Sequence, residues 1–122
     1  MITIRFTRRS EDGGVRMVME GHAGAGAKGS DPVCAAATML AYTLGQSVRF
    51  LYESGLLRCR PRIDLQEGRA VICAVPRREA LAEVLHTFWV VQSGAWVLSR
   101  NYPRNVTLYP LDFDTPWERM RL

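Results

Sequence analysis

VRMVMEG, HAGAGAKGS and DPVCAAATMLAYTLGQSVRFLYE run consecutively over Val15–Glu53, and the hydrophobic period changes at each join. In Val15–Gly21 the apolar Val15, Met17 and Met19 alternate with Arg16, Val18 and Glu20. That is the period of a strand with one buried face. His22–Ser30 carries Gly24, Gly26 and Gly29 and no hydrophobic period, which makes it a loop. A helix then begins at Asp31-Pro32. A carboxylate at the N-cap accepts from amides that have no partner within the helix. Proline in the first helical position loses nothing by lacking an N–H. From there Ala37, Leu40, Ala41, Leu44, Val48 and Leu51 recur at helical spacing. The spacing predicts a helix to about Glu53, closed at Ser54-Gly55 with glycine in the C-terminal cap.

Ile2–Arg8 also alternates, with Ile2, Ile4 and Phe6 on one face. The turn signal Ser10–Gly14 joins it to Val15–Gly21 as a β-hairpin. Downstream, Leu57–Leu65 and Arg69–Val75 read as a second hairpin around Gln66-Glu67-Gly68. Pro61 marks its first strand as an edge strand or a bulge. Arg77–Ser99 is a second helix, with Leu81, Val84, Leu85, Phe88, Val91, Ala95 and Leu98 inward. Gly94 inside it signals close packing or a break. Val106–Tyr109 is a short last strand, and Pro110–Leu122 is an irregular tail without period. The predicted order is ββαββαβ. The fold class is α+β: a mostly antiparallel sheet of two hairpins and a last strand, with two amphipathic helices packed on it.

The whole chain, 1–122, reads as one domain, since two halves of this length would each be marginal. Hydrophobic residues make up 48% and charged residues 23%, which excludes a disordered, highly charged class. The net charge of +4 comes almost wholly from arginine, Lys28 being the one lysine. Arginine serves solubility, and it also grips phosphates and carboxylates in a planar fork. Residues 1–10 alternate and form no apolar leader core. No segment reaches the roughly 20 apolar residues that span a bilayer. Three cysteines without a CxxC spacing point away from a disulfide framework and from a structural zinc site, and toward a reducing cytoplasm. No metal or other cofactor is expected.

The chemistry gathers around the loop. Cys34 falls in the first turn of the predicted helix, where unpaired amides and the positive end of the helix dipole favour a thiolate. His22 ends the preceding strand, and the loop can fold back so that the two meet. An imidazole there can take the thiol proton and return it to a leaving amine. Amides beside Cys34 are candidate oxyanion donors. Each residue alone has a plainer reading: cysteine is commonly buried, and position 34 lies on the inward stripe. Cys59 and Cys73, each mid-strand, are read as core packing, and His86 as a helix-surface residue. Gly24-Ala25-Gly26-Ala27-Lys28-Gly29 fits G-x-G-x-x-G, but its strand belongs to a hairpin and no acidic residue follows at the required distance. A dinucleotide site is therefore rejected. The small residues Gly21, Ala23, Gly24, Gly26 and Gly29 instead suit a substrate loop that leaves room for a peptide backbone.

Gly21-His22-Ala23-Gly24, then Gly29, then Asp31-Pro32-Val33-Cys34-Ala35-Ala36 resembles the signature of the ribosomal-processing cysteine protease family, GHA followed by a glycine-rich stretch and D-I-V-C-A-A. The resemblance extends to the opening strand and to Tyr102-Pro103 before Val106, and stops after Tyr109. It implies a cytosolic endopeptidase without cofactor, often a homodimer. The implied substrate is the N-terminal extension of a large-subunit ribosomal protein. The family nucleophile falls on Cys34 and its base on His22. Asp31 matches the family aspartate, a helix cap and a possible partner for His22. Thr38 stands where the family has serine. Pro32 replaces the family isoleucine. The competing reading is a non-enzymatic ribosome- or RNA-associated module, motivated by the arginine excess. No membrane partner and no specific nucleic acid are expected of the protease.

Overall fold

The computed structural model describes residues 1–111. The expected irregular tail, 110–122, lies outside the described residues beyond Leu111. Elements follow the predicted order: β1 (Ile2–Arg8), β2 (Val15–Gly21), α1 (Pro32–Glu53), β3 (Arg62–Gln66), β4 (Arg69–Ala74), α2 (Leu81–Asn101) and β5 (Val106–Tyr109). The sheet order is β3-β4-β2-β1-β5. All neighbours are antiparallel except β1 and β5, which run parallel. A parallel pair demands a crossover, and the chain from β2 through α2 supplies it.

Alternation in the strands becomes one dry face. Ile4, Phe6, Met17 and Ile72 are buried in a single cluster with Ala41, Leu44 and Val48 of α1 and Leu85, Phe88 and Ala95 of α2. Both helices therefore lie on the same side of the sheet. The other side carries Arg5, Arg16 and Glu20, all exposed. Gly94 marks close packing and no break. A Cβ there would sit 2.7 Å from Leu40 Cδ2, so α2 approaches α1 where glycine removes a side chain. α1 ends as predicted: Ser54 is the C-cap and Gly55 takes φ +76°.

Three expectations are corrected. The second hairpin begins at Arg62 and not at Leu57: the segment before it makes only a single bridge, Leu57 to Pro76. Pro61 has no N–H to contribute to a ladder, and pairing starts immediately after it. β3 is an edge strand, as the proline indicated. Cys59 accordingly lies outside any strand and is exposed, so it is no core residue. Cys73, in β4, is half-buried. The second helix starts later than predicted, after a 3-10 turn at Arg78–Ala80, and runs on to Asn101.

Candidate active site

The sheet register brings three pieces of chain to one end of the molecule. β2 finishes at Gly21 opposite Ile2, β4 starts at Arg69 opposite Glu20, and α1 starts at Pro32 after the glycine loop. Between them lies a groove of about 680 Å³ lined by His22, Cys34, Thr38, Asp31 and the glycines Gly21, Gly24, Gly26 and Gly29. His22 and Cys34, expected from the sequence to meet, both line this groove. Ala23 departs from the expectation. Its side chain is buried in the core and does not face the groove.

Asp31 is the knot. Its carboxylate is buried, with 8% of its surface exposed. Oδ1 accepts from the amides of Val33 (2.9 Å) and Cys34 (3.1 Å), and Oδ2 accepts from the Ala25 amide (2.9 Å). One side chain caps the helix and pins the loop to it. The Cys34 amide is the main reason that this carboxyl is held below its usual range, with the Ala25 and Val33 amides adding to it against the cost of burial. Its three backbone hydrogen bonds come from Val33, Cys34 and Ala25, and the Cys34 side chain also bears on it.

Cys34 is half-buried, and its Sγ accepts from the Ala23 N–H at 3.3 Å. An amide aimed at sulfur stabilises negative charge there. The peptide that carries this amide is itself fixed: the Ala23 carbonyl accepts from Asn105 Nδ2 at 2.9 Å. The oxyanion expectation is revised. The amides of Val33 and Cys34 are taken by Asp31 Oδ1, and the Ala35 amide by the Asp31 carbonyl (3.1 Å). The first turn of α1 has no free donor for a substrate. Among the described residues the amides of Gly24 and Gly26, which line the groove, have no such partner.

His22 is exposed and leans on the β3–β4 turn. A Cβ on Gly68 would come within 3.1 Å of the imidazole Nε2, so that turn forms the wall behind the ring. The same turn carries Glu67, whose carboxylate pairs with Lys28 Nζ at 3.0 Å. Lys28 is the chief reason that the Glu67 carboxyl is held below its usual range. The pair is highly exposed, so its worth is small, but it ties the glycine loop to the opposite lip of the groove.

Sequence reasoning missed this opposite lip. Gln66, Glu67, Gly68 and Arg69 line the groove together with Tyr42. Glu67-Gly68 reads locally as an ordinary hairpin turn. Only the β2–β4 register, confirmed by the Gly21 amide on the Gly68 carbonyl at 2.9 Å, sets it beside His22. Among the described residues no group of three or more His, Cys, Asp or Glu side chains is placed to hold a metal ion.

A family model described as cysteine protease Prp matches residues 1–107. The chain belongs to that family. A Prp ribosomal processing protease from S. aureus, solved with a covalently linked product peptide, is 26% identical. The match covers 89% of this chain and 98% of that one, with a TM-score of 0.69. SMU.848 from Streptococcus mutans is 27% identical over 89% of this chain and 92% of that one, with a TM-score of 0.63. The S. aureus Prp with a substrate peptide, at 23% identity and a TM-score of 0.63, shares the fold. No curated protein matches the chain. As a Prp, the chain is a cysteine protease on an α+β scaffold. Among the described residues no helix is long and apolar enough to cross a membrane.

Proposed function

We propose that this Prp uses Cys34 as nucleophile and His22 as base and acid, and that it removes the N-terminal extension of a large-subunit ribosomal protein in the cytoplasm. The observation that carries the assignment is the convergence of both residues on one groove, with an amide already directed at the sulfur. The substrate class is taken from the S. aureus relatives described as ribosomal processing proteases.

The reaction runs in two halves. His22 takes the Cys34 proton, the sulfur attacks the scissile carbonyl, and negative charge moves to its oxygen. The loop amides of Gly24 and Gly26 are the donors assigned to that oxyanion, since those of α1 are occupied. The C–N bond breaks, the leaving amine takes the proton from His22, and a thioester remains on Cys34. Water attacks the thioester with His22 as base. The C–S bond breaks, the carboxylic acid leaves, and the proton returns to sulfur. Thr38, one turn after Cys34, lines the floor beside these atoms, and Asp31 acts by fixing loop and helix rather than by touching the substrate.

A homodimer is part of the reading. The outer helix faces expose Met39 (63%), Phe50 (59%), Trp96 (55%) and Val97 (51%), apolar side chains that a partner copy would cover.

The test is cleavage of a peptide that spans the N-terminal extension of the host's own ribosomal protein. Wild type is expected to cut it at one bond, and Cys34→Ala, equally folded, not at all. Failure of folded wild type to cut would overturn the substrate assignment. Cutting by Cys34→Ala would overturn the nucleophile.

A further inference from the structure

The end of the sheet opposite the groove is crowded with arginine. The register fixes which residues lie there: β1 closes at Arg8 opposite Val15, Val15 pairs with Ala74, and Cys73 pairs with Arg62. The β1–β2 hairpin adds Arg9 and Arg16. Arg58 and Arg60 precede β3, and Arg77 and Arg78 follow β4. These two pairs run side by side, because the Arg58 amide bonds to the Val75 carbonyl (2.8 Å) and the Arg77 amide to the Leu56 carbonyl (2.9 Å). Eight of the thirteen described arginines thus share one pole, and all eight are exposed.

The Cys73 thiol registers the same convergence among side chains. Burial pushes it up, while the charges of Arg16, Arg62 and Arg9, from three separate segments, reach it and pull the other way. The opposing acids are fewer: Glu11, Asp12, Asp64 and Glu79. Asp12 is held by Arg9 at 2.6 Å and Asp64 lies 3.4 Å from Arg62. Arginine retained for solubility alone would be spread over the surface. Here it is gathered at the pole farthest from the catalytic pair, where it does nothing for the cleavage chemistry.

We propose that this pole is a binding site for the phosphate backbone of RNA, which holds the protease on an RNA-bearing particle while the groove at the other end takes the peptide. Guanidinium forks engage phosphate oxygens bidentately, and a cluster of them supplies affinity without sequence preference. The choice of RNA among polyanions rests on the ribosomal-processing reading. The charge asymmetry does not.

The experiment is fluorescence anisotropy of a labelled single-stranded RNA with the full chain, titrated against salt. Wild type is expected to bind with a log–log salt slope of about −3, the value for some four neutralised phosphates on a single strand. That slope corresponds to a roughly 60-fold loss of affinity between about 50 and 200 mM salt. In Arg58→Gln/Arg60→Gln/Arg77→Gln/Arg78→Gln the slope is expected to flatten to about −1 or less, with at least about a tenfold loss at low salt. Arg104→Gln, outside the pole, is expected to match wild type. Peptide cleavage by the fourfold variant is measured alongside and is expected to be unchanged, which separates this site from the catalytic reading. Equal RNA binding by wild type and the fourfold variant, or no salt-dependent binding by either, would overturn the proposal. So would capture of the wild type by anionic lipid vesicles with RNA left unbound.

Discussion

At the scale of single residues, two positions carry most of the site, and they work through backbone. Gly21 has φ +101°, and a Cβ there would lie 2.2 Å from the Met1 carbonyl oxygen. Neither the dihedral nor the space admits another residue. Gly21→Ala is expected to cost about 3 kcal/mol, from strain and overlap together. Because His22 is the next residue, cleavage should fall further than the stability loss explains. A urea denaturation series beside kcat/KM measures both. Asp31 is the second position. Its sequence signature, a capping aspartate before proline, was legible, but its grip on the Ala25 amide was not. A cap is a local device that spacing reveals. A bond from a loop amide depends on how glycines fold the loop back, and glycines leave that open. The revision of the oxyanion donors has the same root: the sequence places amides near Cys34 but does not say that the cap consumes them.

At the scale of elements, strands and helices were legible wherever a period ran long enough. β1, β2, β5 and the whole of α1 begin and end as their patterns indicate. The pattern overextends β3 because Leu57, Cys59 and Pro61 alternate with Arg58 and Arg60 as in a strand, while Pro61 forbids the ladder. The lip formed by Glu67 and Gly68 was illegible for a different reason. Nothing local distinguishes a hairpin turn beside a histidine from one in open solvent, and the register that decides it is a long-range property. The β1–β2 turn supplies a pH test. Asp12 accepts from Arg9 (2.6 Å) and from the Gly14 amide (2.8 Å). The Arg9 hydrogen bond, with the Gly14 amide second, lowers its carboxyl from 3.8 to about 2. A depressed folded value stabilises the charged form, so the contribution is whole above about 3.8 and is lost as pH falls through about 2. The Tm advantage of wild type over Asp12→Asn is therefore expected to be constant near neutrality and to vanish below about pH 2. An advantage that grew on acidification would contradict the sign.

At the scale of the whole molecule, the architecture separates tasks. One side of the sheet is spent on the helices, one end on the groove and the other end on arginine. The exposed helix faces complete the division. Trp96 and Val97 recur on α2 seven residues after Trp89 and Val90, all four exposed, which places them on one stripe. A dimer through this surface is expected to dissociate when a charge is introduced, so Trp96→Glu should sediment as a monomer at concentrations where wild type sediments as a dimer. Equal sedimentation would remove the helix faces from the interface.

The proposed role of Cys34 as a nucleophile served by His22 is tested by a peptide chloromethyl ketone without knowledge of the natural cleavage site. Wild type and His22→Gln are treated with the reagent, digested and mapped by mass spectrometry, with iodoacetamide labelling of the exposed Cys59 as the internal control for intact protein. A single adduct on Cys34 is expected in wild type, Cys59 and Cys73 remaining free of it. Labelling of Cys34 is expected to be at least about a hundredfold slower in His22→Gln, while Cys59 reacts with iodoacetamide as before. Adducts spread over Cys34 and Cys59 alike, or a Cys34 rate indifferent to His22, would contradict that role.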